Sequence, residues 1–145
     1  MKAKECMCEK VICCSPESTV CDCAKLMSQN HIGCVPVCDA SKNIVGLVTD
    51  RDLILRAISC EKDANQTPIK DIMSTKVCSC TPESDISDVE KLMSEQQIRR
   101  LPVVDNNKVV GIITIGDLAS NPNVSDKCVC NTVENICGCN EKNAQ

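Results

Sequence analysis

Aromatic residues are missing altogether: the 145-residue chain has no Phe, Tyr or Trp. A platform that stacks nucleic-acid bases needs aromatic faces, so the composition excludes it. Basic charge is not in excess either. Sixteen Lys and Arg stand against 20 Asp and Glu, a net charge of −4, which disfavours binding to a phosphate backbone. No apolar run approaches the ~18 residues of a membrane span. The opening residues, MKAKECMCEK, lack the apolar segment of an export signal. A cytoplasmic protein with neither nucleic acid nor membrane as partner is therefore expected. Catalytic groups are scarce as well. His31 is the one histidine, expected at a helix end as a surface or capping residue, with Cys34 nearby in sequence. No Gly-x-Ser-x-Gly, phosphate-binding Walker loop or His-Glu-x-x-His string occurs, so the expectation is a protein that is not an enzyme.

What is abundant is cysteine, with 15 residues. Setting cysteine aside leaves 47 apolar residues, enough for a core, and 28 of these are Val or Ile, which favours strands. The chain length accommodates one or two compact units.

The sequence is written twice. Residues 3–39 align with 69–105 at an offset of 66, with 17 of 37 positions identical. Lys4, Met7, Lys10 and Val11 match Lys70, Met73, Lys76 and Val77, and KLMS at 25–28 meets KLMS at 91–94. One residue is then dropped, so IVGLVTDRDL at 44–53 meets VVGIITIGDL at 109–118. Such self-similarity organises the whole fold and is sought first.

Each copy has the same order of elements. Val11–Cys14 is a short apolar run ended by Ser-Pro, predicted as a strand. Thr19 with Asp22 fits an N-cap with an acidic N3 partner, and Val20, Cys23, Ala24 and Met27 share one helical face. Two strands, 34–39 and 44–49, are joined by a polar turn, and a second helix covers 50–59. The second copy predicts a strand at 77–80, a helix at 85–97, strands at 100–105 and 108–114, and a helix at 115–120. Met7 and Met73 lie in a short lead-in, read as a single helical turn. The divisions are a first domain at 1–58, a polar linker at 59–68, a second domain at 69–120 and a Cys-rich tail at 121–145. Each β-α-β-β-α unit is too small to bury much apolar surface alone, so the two copies are expected to share a core.

The strings KECMCEKV and KDIMSTKV, IGCVPVCD and IRRLPVVD, and GLVTDRDL and GIITIGDL, in this order and duplicated, resemble the cystathionine-β-synthase (CBS) domain. The tandem over residues 3–120 is similar to a Bateman module. The resemblance implies an α/β (α+β) fold of two β-α-β-β-α repeats related by pseudo-twofold symmetry. It also implies an adenosine-containing ligand (AMP, ADP, ATP or S-adenosylmethionine) in a cleft between the domains, with no cofactor required. The family's ribose motif, Ser/Thr-x-x-Asp after the third strand, falls on Thr49–Asp52 and on Thr114–Asp117.

The chemistry of these residues admits two readings. A carboxylate three residues after a hydroxyl can accept from vicinal ribose hydroxyls, beside a helix N-terminus that favours phosphate. The same pair also serves as a helix cap with no ligand at all. Arg99 and Arg100 lie just before the second strand of copy two, where copy one has Gly33 and Cys34. Arg51 stands in copy one where copy two has Gly116. These arginines suit phosphate, or are surface residues paired with local carboxylates. Adenine, lacking aromatic partners, is assigned to aliphatic residues: Ile12, Val35, Pro36, Val77, Leu101 and Pro102.

Cysteine stands opposite ordinary packing residues across the repeat: Cys6 faces Ile72, Cys13 faces Ser79, Cys23 faces Val89 and Cys38 faces Val104. There it reads as a small hydrophobe. In the tail, Cys128, Cys130, Cys137 and Cys139 match a four-thiolate metal site in number. Val129, Val133 and Ile136 equally fit an amphipathic helix docking on a neighbour. The resulting expectation is an adenine-nucleotide sensor that forms a homodimer and acts on a separate effector protein. The alternative is a thiol-rich metal-binding or redox-responsive protein on the same scaffold.

Overall fold

The structure is a computed structural model and describes residues 1–138. It is mixed α/β, with two separate two-stranded sheets and their helices, and the packing divides it into two units. One unit comprises residues 12–77 with 107–109, and the other residues 1–11, 78–106 and 110–138.

In the copy-one unit, α1 (Val20–Asn30) starts at a reciprocal cap. The Asp22 N–H donates to Thr19 Oγ1 at 3.1 Å and the Thr19 N–H donates to Asp22 Oδ2 at 3.2 Å. The helix ends at His31, which takes a left-handed conformation (φ 53°) and so acts as the expected C-cap. Val20, Cys23 and Met27 are buried, while Ala24 is exposed and Leu26 packs at the edge of the core instead. The hairpin β1 (Cys34–Cys38) and β2 (Ile44–Thr49) pairs antiparallel with Cys34 opposite Thr49. All of β1 is buried, while β2 alternates toward its end. The second helix, α2 (Asp50–Asp52), widens at once into a π-helical stretch, Leu53–Ile58. The wider turn stacks Leu53 and Ala57 into the core and leaves Ile54, Leu55 and Ile58 exposed.

The copy-two unit repeats this plan with α3 (Ile86–Gln96), β3 (Arg100–Asp105), β4 (Lys108–Thr114) and α4 (Ile115–Ser120). It adds α5 (Asp126–Cys137), which packs on α3 and α4. Its inward residues are Val129, Thr132 and Ile136. Val133, expected on that face, points outward at 40% exposure, because it lies four residues from Val129 on the far edge of the stripe.

Two features differ from the sequence expectation. The first strand of each copy shrinks to a single parallel bridge, Cys14 with Val37 and Cys80 with Val103. The cause lies in the lead-ins. Cys8 and Ile112 exchange both backbone hydrogen bonds (2.8 and 3.0 Å), and so do Ser74 and Leu47 (2.9 Å each). The chain is thus held at the edge of one hairpin until Cys8 or Ser74. It meets the next hairpin only six residues later, just before a Ser-Pro or Thr-Pro turn.

The second feature is where the lead-ins go. Residues 1–11 belong to the copy-two unit, and residues 69–77 complete the copy-one unit. Met7 and Met73 fix this docking. Each places its Sδ where a Cβ of Gly111 or Gly46 would stand, so glycine is needed for the close approach. Short 3-10 turns, Ala3–Glu5 and Ile69–Asp71, immediately precede these methionines. The polar segment 59–68 also packs, since its Ala64 and Thr67 carbonyls accept from the Cys21 and Val20 N–H groups at the start of α1.

Candidate functional site

Each hairpin leads from its second strand into a short helix through a threonine in extended conformation. Thr49 has φ −115° and ψ 163°, and Thr114 has φ −119° and ψ 162°. A β-branched residue suits the strand end, and its hydroxyl suits the cap. In copy one the Asp52 N–H donates to Thr49 Oγ1 (3.2 Å) and the Thr49 N–H donates to Asp52 Oδ2 (2.9 Å). In copy two the Asp117 N–H donates to Thr114 Oγ1 (3.1 Å) and the Thr114 N–H donates to Asp117 Oδ2 (2.7 Å). Both corners are therefore capping boxes, as the simpler of the two sequence readings required. A carboxylate offers about four lone-pair directions, so the cap leaves acceptor capacity on each aspartate.

The corners are tied to the start of the preceding strand. The Asp50 N–H donates to the Gly33 carbonyl and the Ile115 N–H to the Arg99 carbonyl, both at 3.0 Å. Arg99 and Arg100 thus lie beside Thr114, and Gly33 and Cys34 beside Thr49. Arg99 is exposed and Arg100 half-buried. Arg51 is exposed on the first turn of α2.

The carboxylates themselves differ. Asp52 Oδ1 lies 3.7 Å from Arg56 Nε, and Arg56 Nη1 also donates to the Ile72 carbonyl at 3.2 Å. At the matching position copy two has Asn121, whose amide reaches Cys6 Sγ at 3.6 Å and not the carboxylate. Asp117 has no cationic partner among the described residues, and its Oδ2 accepts in addition from the Thr114 hydroxyl at 2.9 Å. Arg56 and Asn121 were missed because they lie one helical turn beyond the motif. The i+4 spacing from each aspartate was the available signal.

Of the residues assigned to adenine, Val35 and Leu101 are completely buried, and Pro36 and Pro102 are covered by protein. Ile12 and Val77 keep part of their surface exposed.

None of the described cysteines is in a disulfide, and Cys14, Cys23, Cys34, Cys38 and Cys80 are buried. Burial pushes the Cys80 thiol up to about 11. A hydrogen bond to Cys23, together with burial, pushes Cys14 further still. These thiols stay protonated, as small hydrophobic residues should. In the tail, Cys128, Cys130 and Cys137 are exposed along α5, and Cys139 lies outside the described residues. Among the described residues no three His, Cys, Asp or Glu side chains converge as a metal requires. Cys128 and Cys130 are divided by the helix itself, since residues two apart point to nearly opposite sides. Among the described residues, no helix is long and apolar enough to cross a membrane.

Comparison with known proteins accords with this architecture. The CBS domain family matches residues 3–59 and 69–122. The CBS domain-containing protein YhcV of Bacillus subtilis is 42% identical over 118 residues, 81% of this chain and 83% of that protein. The CBS domain pair of protein MJ0100, solved with 5'-methylthioadenosine and S-adenosyl-L-methionine, is similar at a TM-score of 0.75 and 27% identity, over 82% of this chain and 93% of that one. Hypoxic Response Protein I, solved with two coordinated zinc ions, is similar at a TM-score of 0.77 and 27% identity, over 84% of this chain and all of that one. With a duplicated hairpin-and-helix unit and a family match in each copy, the chain belongs to the CBS domain family, of which it carries two domains in tandem.

Proposed function

We propose that the chain is a regulatory module, not an enzyme, that binds adenosine-containing ligands (AMP, ADP, ATP or S-adenosylmethionine) at its Thr-x-x-Asp corners. The observation that carries this reading is the Thr114–Asp117 corner. Its carboxylate has no cationic partner among the described residues, and Arg99 and Arg100 stand beside it. Ribose hydroxyls donate to Asp117, and the guanidinium groups take the phosphates. The Thr49–Asp52 corner is the weaker of the two, because Arg56 already engages its carboxylate. The adenosine ligands bound by MJ0100 support the ligand class.

A ligand that prefers one conformation shifts the population toward it, and a partner protein that discriminates between conformations is then regulated. The exposed Ile54, Leu55 and Ile58 give a homodimer an apolar surface to bury. A light-scattering mass near the 15.7 kDa of one chain would count against dimerisation.

Isothermal calorimetry with AMP, ADP, ATP and S-adenosylmethionine tests the main reading. Micromolar binding is expected for at least one of them. Asp117→Ala is expected to weaken it about tenfold or more, the scale of a lost hydrogen bond to a charged group. Asp52→Ala should change it less. No heat at millimolar ligand would end the proposal.

A further inference from the structure

Each copy lends its lead-in to the hairpin of the other, and the two dockings match bond for bond. In the copy-two unit the Ala3 N–H donates to the Ser84 carbonyl (2.8 Å), the Lys4 N–H to the Pro82 carbonyl (3.1 Å) and the Ile86 N–H to the Met1 carbonyl (3.0 Å). In the copy-one unit the Ile69 N–H donates to the Ser18 carbonyl (2.7 Å), the Lys70 N–H to the Pro16 carbonyl (3.0 Å) and the Val20 N–H to the Thr67 carbonyl (3.0 Å). Ala3 and Ile69 are completely buried. Lys4 pairs with Glu83 at 2.6 Å, and Lys70 with Glu17 at 3.2 Å. Met7 seats against Gly111 as Met73 seats against Gly46. A unit thus recognises a lead-in by its residues and not by its belonging to the same repeat.

The two lead-ins differ in how they are tethered. Residues 9–13 join the first one to copy one, and their backbone N–H groups donate to nothing among the described residues. Glu9, Lys10 and Cys13 in this connector are exposed. Residues 75–79 after the second lead-in are equally unpaired, but the chain ahead of it is pinned. There the Ala64 carbonyl accepts from the Cys21 N–H at 2.9 Å, and Arg56 Nη1 donates to the Ile72 carbonyl within the lead-in itself.

We propose that residues 1–8 form an exchangeable arm, traded between two copies of this chain so that each copy-two unit is completed by the arm of the other. Every docking contact is re-formed across the pair, and the connector has no backbone hydrogen bonds to give up when it changes course. Concentration then decides between the closed chain and the exchanged pair. Leaving the groove uncovers Ala3 and breaks the bonds above, so exchange is slow and speeds up on mild warming. The arm also reaches the Asp117 corner, where the Cys6 thiol donates to the Asp117 carbonyl at 3.7 Å and accepts from the Asn121 amide at 3.6 Å. In the exchanged pair each such corner is backed by the other chain.

The test uses the full chain in two batches, one ordinary and one labelled throughout with heavy nitrogen. The batches are mixed, warmed gently below unfolding at a series of concentrations, and treated with a carbodiimide, which joins a lysine amine to a carboxylate in contact with it. Mass spectrometry of the digest sorts each cross-linked peptide pair as single-isotope or mixed. Mixed Lys4–Glu83 links are expected, in a share that rises with concentration and with incubation time, while Lys70–Glu17 links stay single-isotope. The proposal is overturned if Lys4–Glu83 links stay single-isotope at the highest concentration. It is overturned equally if both links mix to the same extent, which is the mark of unspecific contact between chains. None of these outcomes depends on nucleotide binding.

Discussion

The Thr49–Asp52 and Thr114–Asp117 corners have the same backbone, the same caps and the same tie to the preceding strand, yet their carboxylates differ in charge balance. Asp52 faces Arg56, whereas the position matching Arg56 is Asn121, which turns to Cys6. A duplicated sequence therefore repeats its backbone faithfully while the residues one turn outside the motif set the electrostatics. The cores invite the same comparison, and the largest expected effect lies there. Met93 is fully buried and Met27 is 7% exposed at matching positions of α3 and α1. Met93→Ala should cost about 2–5 kcal/mol, and Met27→Ala the lower part of that range, in urea unfolding. A larger loss for Met27→Ala would show that the two cores are not equivalent in the way their alignment suggests.

Exchanging the outer residues sharpens the comparison of the corners themselves. Asn121→Arg should place a guanidinium against Asp117, as Arg56 stands against Asp52. Ribose hydroxyls would then compete with a cation for the carboxylate. Adenosine, which has no phosphate for the new charge to attract, should bind several-fold more weakly, by an amount on the order of 1 kcal/mol. Calorimetry with adenosine checks this, and unchanged affinity would place the nucleoside away from Asp117.

The caps differ by one bond. Thr114 Oγ1 both accepts from the Asp117 N–H and donates to Asp117 Oδ2, whereas Thr49 makes only the accepting contact. Thr49→Ala should cost about 1 kcal/mol, and Thr114→Ala somewhat more. Equal thermal shifts for the two would show that the extra hydroxyl contact contributes no stability.

Much of this was legible in the sequence. The repeat predicted both hairpins, with β2, β3, β4 and α4 at their observed bounds. The Thr-x-x-Asp spacing predicted both corner caps, because a cap is decided within four residues. The lead-ins were not legible in the same way. Met7 opposite Gly111 and Met73 opposite Gly46 are contacts over a long sequence separation. No local pattern announces that each lead-in completes the unit containing the other copy's hairpin. The single-bridge first strand follows from that docking, so it was missed for the same reason. The π-helical stretch after α2 also escaped notice, since an apolar run such as Leu53–Leu55 fits a wide or a narrow turn equally.

The smallest expected effect concerns how the two long helices begin. Helix α1 is capped by Thr19 with Asp22, whereas Asp85, ahead of α3, makes no side-chain cap and pairs with Lys2 Nζ at 2.9 Å. The hydrogen bond and charge of Lys2 hold the Asp85 carboxyl below its ordinary value, and Asp85 raises Lys2 in return. A lowered carboxyl contributes stability above its unfolded value, about 3.9, and loses it as pH falls through the still lower folded value. A raised lysine contributes below its unfolded value, about 10.4, and loses it as pH rises through the higher folded one. The pair is therefore expected to act across the neutral range and to fade at both extremes. Both side chains are exposed, so salt weakens it further. Asp85→Asn keeps a good helix-capping residue while removing the charge. Its Tm should fall slightly short of the wild type at pH 7, and the gap should close toward pH 2 and in high salt. A gap of constant size down to pH 2 would show that the Lys2–Asp85 charges are not its source.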